Sequence, residues 1–240
     1  SDERISGGGC GSWSDTGLLK TSLHLDKSRL TGSKLLFIEM DTQDVKVNEI
    51  TDCFIYGRLN PRITNKVCQE IKNSKSTEEL VEAGMGNDPK TFLRPKFRST
   101  SIAWLKNTPY VSQVLAKLVI DANQFKFKLD NLEDTKPAIQ YTVYKSYQDH
   151  YNWHQDYYDE EIVGDGLERL VSISLCLSHD DMYEGAEFCI KDGCDYNVRY
   201  FKMKYGDFIV FPSRTEHRVN ALRNGERISL VAWYGKPFTG

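Results

Sequence analysis

Trp153-His154-Gln155-Asp156 closes a run of aromatic and polar residues that begins at Tyr141, and it places an imidazole and a carboxylate two positions apart. In extended backbone, side chains alternate between faces, so His154 and Asp156 point the same way and Gln155 points away. Two metal donors then share one side. A third has to come from elsewhere, and His217, in Pro212-Ser213-Arg214-Thr215-Glu216-His217, is the best candidate. Two histidines and one carboxylate on one face of Fe(II) leave the opposite face open to other ligands.

Working outward, the sequence around this pair is strand-like. From Phe125 the apolar period changes to two, with Phe125, Phe127 and Leu129 alternating against Lys126 and Lys128. Further strands are expected over Ala138–Lys145, Arg169–Leu177, Ala186–Ile190, Phe208–Phe211, His217–Leu222 and Arg227–Tyr234. Upstream, Leu35–Ile38 and Cys53–Tyr56 read as short buried strands, and Thr100–Leu105 as another. Asn60-Pro61 opens a helix with Ile63, Val67 and Ile71 on one stripe, and Thr108-Pro109 opens a second with Val111, Val114, Leu115 and Leu118 at helical spacing. Ser76 and Glu79 form a capping box for a short helix through Ala83, and Gly84–Pro89 breaks the chain into a loop. Helices first and many short strands later predict an α+β, mainly β fold: a sandwich or jelly roll with the N-terminal helices packed on one sheet.

The size of the chain, 240 residues and 27.6 kDa, suits one catalytic domain with an extension: 1–47 as an N-terminal arm, 48–240 as the domain, and about 138–237 as its core. A formal charge of -3 gives no electrostatic reason to expect nucleic acid, and no apolar run approaches bilayer length. A soluble, cytoplasmic protein is expected, with a signal removed earlier as the alternative. Six irregularly spaced cysteines suggest reduced thiols, although Cys189 and Cys194 flank a turn at Asp192-Gly193 and could be bridged.

Beyond His217 the chain runs Asn224-Gly225-Glu226-Arg227-Ile228-Ser229-Leu230-Val231-Ala232-Trp233, so Arg227 and Ser229 share a strand face. A guanidinium in so apolar a strand requires an anion, because an unpaired buried charge is costly. A ligand carboxylate gripped through two parallel hydrogen bonds, with Ser229 adding a third, is one solution; an internal Asp or Glu is the other.

His154-x-Asp156, His217 and Arg227-x-Ser229 ten positions later together resemble the Fe(II)/2-oxoglutarate dioxygenase superfamily, in its prolyl 4-hydroxylase-like branch of microbial or viral type. The resemblance covers roughly residues 48–237 and includes Tyr151, Gly185-Ala186-Glu187 and Gly206-Asp207-Phe208-Ile209-Val210-Phe211. It implies a double-stranded β-helix, with Fe(II) on His154, Asp156 and His217. It also implies 2-oxoglutarate with its distal carboxylate on Arg227, O2 as co-substrate, and ascorbate as an optional further cofactor. Tyr144 and Ser229 are secondary co-substrate contacts. Tyr144 lies one residue further from the first histidine than the family pattern has it, Ala186 replaces a second glycine, and Arg227 stands where animal collagen hydroxylases carry Lys. The implied activity is hydroxylation of an unactivated C–H bond with release of succinate and CO2, on a prolyl residue of a peptide or on a free amino acid or other small molecule. Oligomeric state is not implied. In such a fold the last two strands lie in opposite sheets, so Asn224-Gly225, otherwise a strong hairpin signal, is expected to cross between sheets.

Other metal readings are weaker. His150 and His154 are four apart, but a zincin needs Glu directly after the first histidine and Tyr151 stands there. His179-Asp180-Asp181 reads as a solvated turn and His24 has no assignment. Trp153 and Trp233 read as packing residues. The acidic stretch Tyr157–Gly166 is either a lid over the substrate or an ordinary loop, and its charge would suit a basic peptide. A non-catalytic, cupin-like metal-binding jelly roll is the alternative class.

Overall fold

The computed structural model describes residues 40–41, 43–83, 97–130, 132, 137–157, 167–193 and 197–237, all within the unit Leu36–Gly240. Strands β1 (Val45–Ile50) and β2 (Ile55–Leu59) precede helix α1 (Pro61–Ser74), and β3 (Val81–Glu82), β4 (Arg98–Ser99) and β5 (Ser101–Trp104) precede α2 (Pro109–Ala122). Then follow β6 (Ile139–Tyr144), β7 (His150–His154), β8 (Leu167–Cys176), β9 (Tyr183–Gly185), β10 (Phe188–Asp192) and β11 (Asn197–Phe201). The chain continues through β12 (Asp207–Pro212), β13 (His217–Val219), β14 (Leu222–Gly225) and β15 (Arg227–Pro237). The major sheet has the order β1-β2-β12-β8-β15-β6-β5-β3, the minor sheet β11-β10-β13-β7-β4, and β14 pairs with β9. This is the expected double-stranded β-helix.

Alternation along the central strands separates two cores. Val171, Ile173 and Leu175 of β8 and Leu230 and Ala232 of β15 face outward, where Ile63, Val67 and Ile71 of α1 and Val111, Val114, Leu115 and Leu118 of α2 cover them. Tyr144, Cys176, Ile209 and Phe211 face the opposite way and meet Phe188, Ile190 and Val219 of the minor sheet, forming the interior between the sheets. The helices are anchored at their starts. Asn60 caps α1 by accepting from Arg62 N, while α2 has no side-chain cap from Thr108 and is capped instead by Glu70 of α1, whose carboxylate accepts from Tyr110 N (3.1 Å) and Val111 N (2.7 Å). Loss of a cap costs about 1 kcal/mol. Glu70→Ala should lower stability by about that much in denaturant unfolding and leave the interior site unaltered; no change in midpoint would show the cap to be dispensable.

Several expectations are corrected. Ser76–Glu78 is one 3-10 turn, not a helix through Ala83, because the Ser76 hydroxyl is taken across the chain by Lys106 O (3.1 Å) and Lys106 N (2.9 Å), and Val81–Glu82 pairs with β5. The alternation over Phe125–Leu129 is not a strand: Asn123–Phe127 winds on as a π-helical turn, closed by the Asn123 amide bonding both backbone groups of Leu129. His217–Leu222 divides, since β13 lies in the minor sheet and β14 pairs with β9. Strands β9 and β11 went unforeseen, being short and without clear alternation. β1 begins at Val45, so sheet pairing runs across residue 47. Leu35–Ile38 and 84–89 lie outside the described residues.

The crossing at Asn224-Gly225 is as expected. Leu222 pairs with Gly185, while Arg227 pairs with Tyr144, so the two residues are not partners; Gly225 at φ 78° supplies the left-handed corner. Gly206-Asp207 is a structural corner. Gly206 has φ 81°, and the buried Asp207 carboxylate accepts from Lys204 N (2.8 Å), Tyr56 Oη (2.5 Å) and Arg58.

Candidate metal centre and active site

The site begins with register. His217, first residue of β13, is the Cα partner of His154, last residue of β7, so the two imidazoles project side by side, with ring centroids 4.2 Å apart. Asp156 lies two residues past the strand end. Its N–H and that of Tyr157 donate to Ser213 O (2.9 and 3.0 Å), which ties this segment to the turn leading into His217. As a result His154 Nε2 lies 3.6 Å from Asp156 Oδ1 and His217 Nε2 lies 3.5 Å from Asp156 Oδ2, and the three donor atoms all fall within 4.8 Å of one another.

Hydrogen bonding decides what those atoms offer. His154 Nδ1 meets Asn152 O at 2.7 Å and His217 Nδ1 meets Thr215 O at 3.0 Å. A carbonyl oxygen only accepts, so each Nδ1 carries a proton, and a ring that is neutral then presents an Nε2 lone pair. Metal-ligating histidines are commonly oriented in this way. Burial, then the neighbouring His217, push His154 down to about 3, so it is neutral. Burial opposes the charge on Asp156, but the attraction of a protonated His217 or His154, helped by Ser172, outweighs it and holds the carboxyl below its ordinary range when no metal is bound. Asp156 Oδ2 is buried and has no hydrogen-bond partner. With both imidazoles neutral, as metal ligands must be, three acceptors face one another in a largely buried setting with no donor among them. That arrangement is repulsive unless a cation lies between them, and two imidazoles with one carboxylate form the donor set suited to Fe(II).

The shift at His154 sets a pH dependence. Unfolded, His154 takes up a proton near its ordinary value of 6.5; folded, it resists until about 3. Its contribution to stability is thus fully present above the unfolded value and is lost as pH falls toward the folded one. Melts of the metal-free protein should fall in Tm below about pH 6.5, and His154→Asn should flatten that slope; an equal slope in the variant would contradict the assignment.

Arg227 begins β15 and is 1% exposed. Its Nη1 donates to Ser229 Oγ (3.3 Å), its Nη2 contacts Met203 Sδ (3.6 Å), and its Cζ stands 5.4 Å from the Tyr144 ring, while Nε is buried with no partner. No described carboxylate pairs with it, so the internal salt bridge left open by the sequence is not formed among the described residues. Burial raises the Tyr144 hydroxyl, which stays a neutral donor. The chain thus holds a buried cation with an Nε donor that has no partner among the described residues.

The remaining motifs are placed as follows. Tyr151 stacks on His154 with ring centroids 3.5 Å apart. Phe188 and Phe211 pack on His217 at 5.6 and 4.6 Å and wall that ligand off from water. Gly185 (φ 77°) and Ala186 (φ 49°) turn the chain between β9 and β10. His150 lies on a strand rather than a helix, which removes the zincin geometry. His179 stacks on Tyr205, and Asp180 pairs with Lys204 at 3.1 Å, as a surface turn would. Trp153 lies beneath Lys191 and Arg218, and Trp233 beneath Arg169. Cys189 is a free thiol, while Cys194, His24 and 158–166 lie outside the described residues. Sequence reading missed Arg98 of β4. It is buried beside this centre, and its only signal was a lone arginine ahead of an apolar strand. Two surface cavities, of about 580 and 330 Å3, share no residue with the triad.

Fold and site together set a candidate metal centre inside a double-stranded β-helix. Residues 139–235 match the family model of the 2OG-Fe(II) oxygenase superfamily, whose reagents are Fe(II), 2-oxoglutarate and O2. A PKHD-type hydroxylase of Psychrobacter sp. is 36% identical over 63 residues, 26% of this chain and 24% of that protein, so the match spans about a quarter of that relative. A PKHD-type hydroxylase of Idiomarina loihiensis is 25% identical over 173 residues, covering 68% of this chain and 75% of the relative. In fold, the chain is similar to a Pseudomonas putida prolyl-4-hydroxylase (TM-score 0.58, 21% identity, 77% of this chain and 93% of that one). It is also similar to a Trichoplax adhaerens prolyl hydroxylase solved with a hypoxia inducible factor peptide fragment (TM-score 0.58, 18% identity, 78% and 84%). No helix among the described residues is long and apolar enough to cross a membrane.

Proposed function

We propose that the chain is an Fe(II)- and 2-oxoglutarate-dependent dioxygenase that hydroxylates an unactivated C–H bond, first of all on a prolyl residue of a peptide or protein. In this reading His154, Asp156 and His217 hold the iron, and Arg227, with Ser229 and Tyr144, holds the distal carboxylate of 2-oxoglutarate. Bound iron with this co-substrate and O2 supplies oxidative decarboxylation to succinate and CO2, coupled to hydroxylation. The protein's own part is placement. The backbone carbonyls of Asn152 and Thr215 orient the two imidazoles, and the Ser213 carbonyl orients Asp156. The guanidinium of Arg227 waits desolvated, so a carboxylate can meet it without first stripping water from it.

The observation that carries this reading is a cluster of three metal donors on the minor sheet together with a buried guanidinium on the facing major sheet that has no carboxylate partner among the described residues. A cupin-like structural metal site explains the first and has no use for the second. A free amino acid or other small molecule is the second reading of the substrate, favoured by another buried guanidinium, Arg98, beside the metal centre. The free thiols of Cys53, Cys68, Cys176 and Cys189 fit a reducing, cytosol-like compartment. The test is succinate release in air from protein supplied with Fe(II) and 2-oxoglutarate, with mass spectrometry of candidate peptides and amino acids for a gain of one oxygen. Succinate is expected with iron and not without it; equal release in a chelator would contradict the proposal.

A further inference from the structure

Arg98 is buried, with 9% of its surface exposed. Its Nε donates to Thr100 Oγ1 (3.1 Å) and its Nη2 to Gln140 Oε1 (2.8 Å), and its Cζ lies 4.4 Å over the Tyr151 ring. The other group stacked on that ring is His154, at 3.5 Å. Two groups so close to one ring centre cannot share a face, so one aromatic thickness separates the guanidinium from a candidate iron ligand. No described carboxylate pairs with Arg98, and its Nη1 has no partner among the described residues.

Gln140 points to the same need. Its Oε1 already accepts from Arg98 and from Thr142 Oγ1 (3.1 Å), which uses both lone pairs and fixes the amide orientation. Its NH2 group therefore projects away from these two partners, and it donates to nothing among the described residues. A charged donor and an amide donor stand side by side without an acceptor, on the interior face of β6 that also carries Thr142 and Tyr144. A donor-rich patch of this kind, on residues that are mostly buried but whose free donors are open to a ligand, recognises a carboxylate.

2-Oxoglutarate is not that carboxylate if Arg227 holds it. Arg227 stands at the Tyr144 level of β6 and Arg98 at the Gln140 level, four residues or roughly 13 Å away along the strand. A diacid that uses one carboxylate on the metal and the other on Arg227 has none left for Arg98. We propose that Arg98 and Gln140 form a second anion subsite, which binds a carboxylate of the substrate itself and selects acid-bearing molecules over their neutral amides. This inference rests on the dioxygenase reading for its statement that the interior is the reaction chamber. The carboxylate is that of a free amino acid or the C-terminus of a short peptide, two sources with one chemistry.

The test is calorimetric binding under argon, with Fe(II) and 2-oxoglutarate bound and no turnover. The probes are the common amino acids and prolyl tripeptides, each as free acid and as carboxamide. At least one acid is expected to bind about tenfold or more tightly than its amide, and which acid does so separates free amino acid from peptide terminus. The acid-to-amide ratio should collapse toward one in Arg98→Gln and fall only partly in Arg98→Lys, which keeps the charge without the fork. Should Arg98→Gln not fold, the partial fall in Arg98→Lys carries the same test. No acid preference in the wild-type protein, or a preference undiminished in the variants, overturns the subsite. Succinate release in air is scored separately: an acid preference without succinate sinks the dioxygenase reading alone, and succinate without an acid preference sinks the subsite alone.

Discussion

Arg227→Met is expected to abolish useful 2-oxoglutarate binding while leaving the resting protein as stable as before or more so. Losing a desolvated guanidinium–carboxylate contact costs about 2–5 kcal/mol, which at about 1.4 kcal/mol per tenfold raises the KM for 2-oxoglutarate by about 30-fold or more. The stability sign runs the other way. In the resting protein Arg227 is 1% exposed, with Ser229 Oγ and Met203 Sδ as its hydrogen-bonding partners, so it is a buried charge without a counter-charge among the described residues. A linear apolar side chain of similar length removes that burden, and each kcal/mol gained lifts Tm by about 2–4 °C in a chain of this size. Melts with and without 2-oxoglutarate separate the two effects. The wild-type protein should gain Tm from the co-substrate and the variant should not. A variant that is much less stable, yet still stabilised by 2-oxoglutarate, would mean that Arg227 is a structural residue.

The second large effect lies in the triad. Asp156→Ala removes the central acceptor of the cluster and is expected to reduce Fe(II)-dependent succinate formation to background, with His217→Ala doing the same. Asp156 carries a further signature. Its carboxylate is buried with one oxygen lacking a hydrogen bond, so an apolar replacement relieves an unsatisfied group in the metal-free protein. Metal-free Asp156→Ala should therefore melt close to the wild type, whereas Fe(II) or Zn(II) should raise the Tm of the wild type only. Unchanged succinate formation in either variant would place the iron elsewhere.

How much of this was legible in the chain depended on how local each signal is. The α1 stripe of Ile63, Val67 and Ile71 and the β15 alternation of Arg227 and Ser229 are short-range patterns, and both elements formed as read. The triad was found because His154 and Asp156 are near neighbours; the distance from His217 to them depends on the β13–β7 register, which only the fold decides. Local patterns misled where a distant group intervened. Lys106 claimed the Ser76 hydroxyl that would have capped a helix, and the Asn123 amide bonded the Leu129 backbone and turned a two-residue alternation into a helix end. Glu70 capping α2 from α1, and Arg98 lying over Tyr151, are contacts between segments far apart in sequence, and no window on either segment announces them. Asn224-Gly225 shows the converse, a strong local hairpin signal overruled because its flanking strands find other partners.

The central claim is that three metal donors on the minor sheet and one guanidinium on the major sheet form a single iron and co-substrate site. Its most direct test is anaerobic titration of Fe(II) followed by 2-oxoglutarate, watched in the visible for the weak charge-transfer band that a 2-oxo acid chelating ferrous iron produces. The band should appear only with both reagents present, persist in Glu70→Ala, vanish in Asp156→Ala, and require far more 2-oxoglutarate in Arg227→Met. A wild-type protein that gives no band, or an Asp156→Ala variant that gives the full band, would contradict the account.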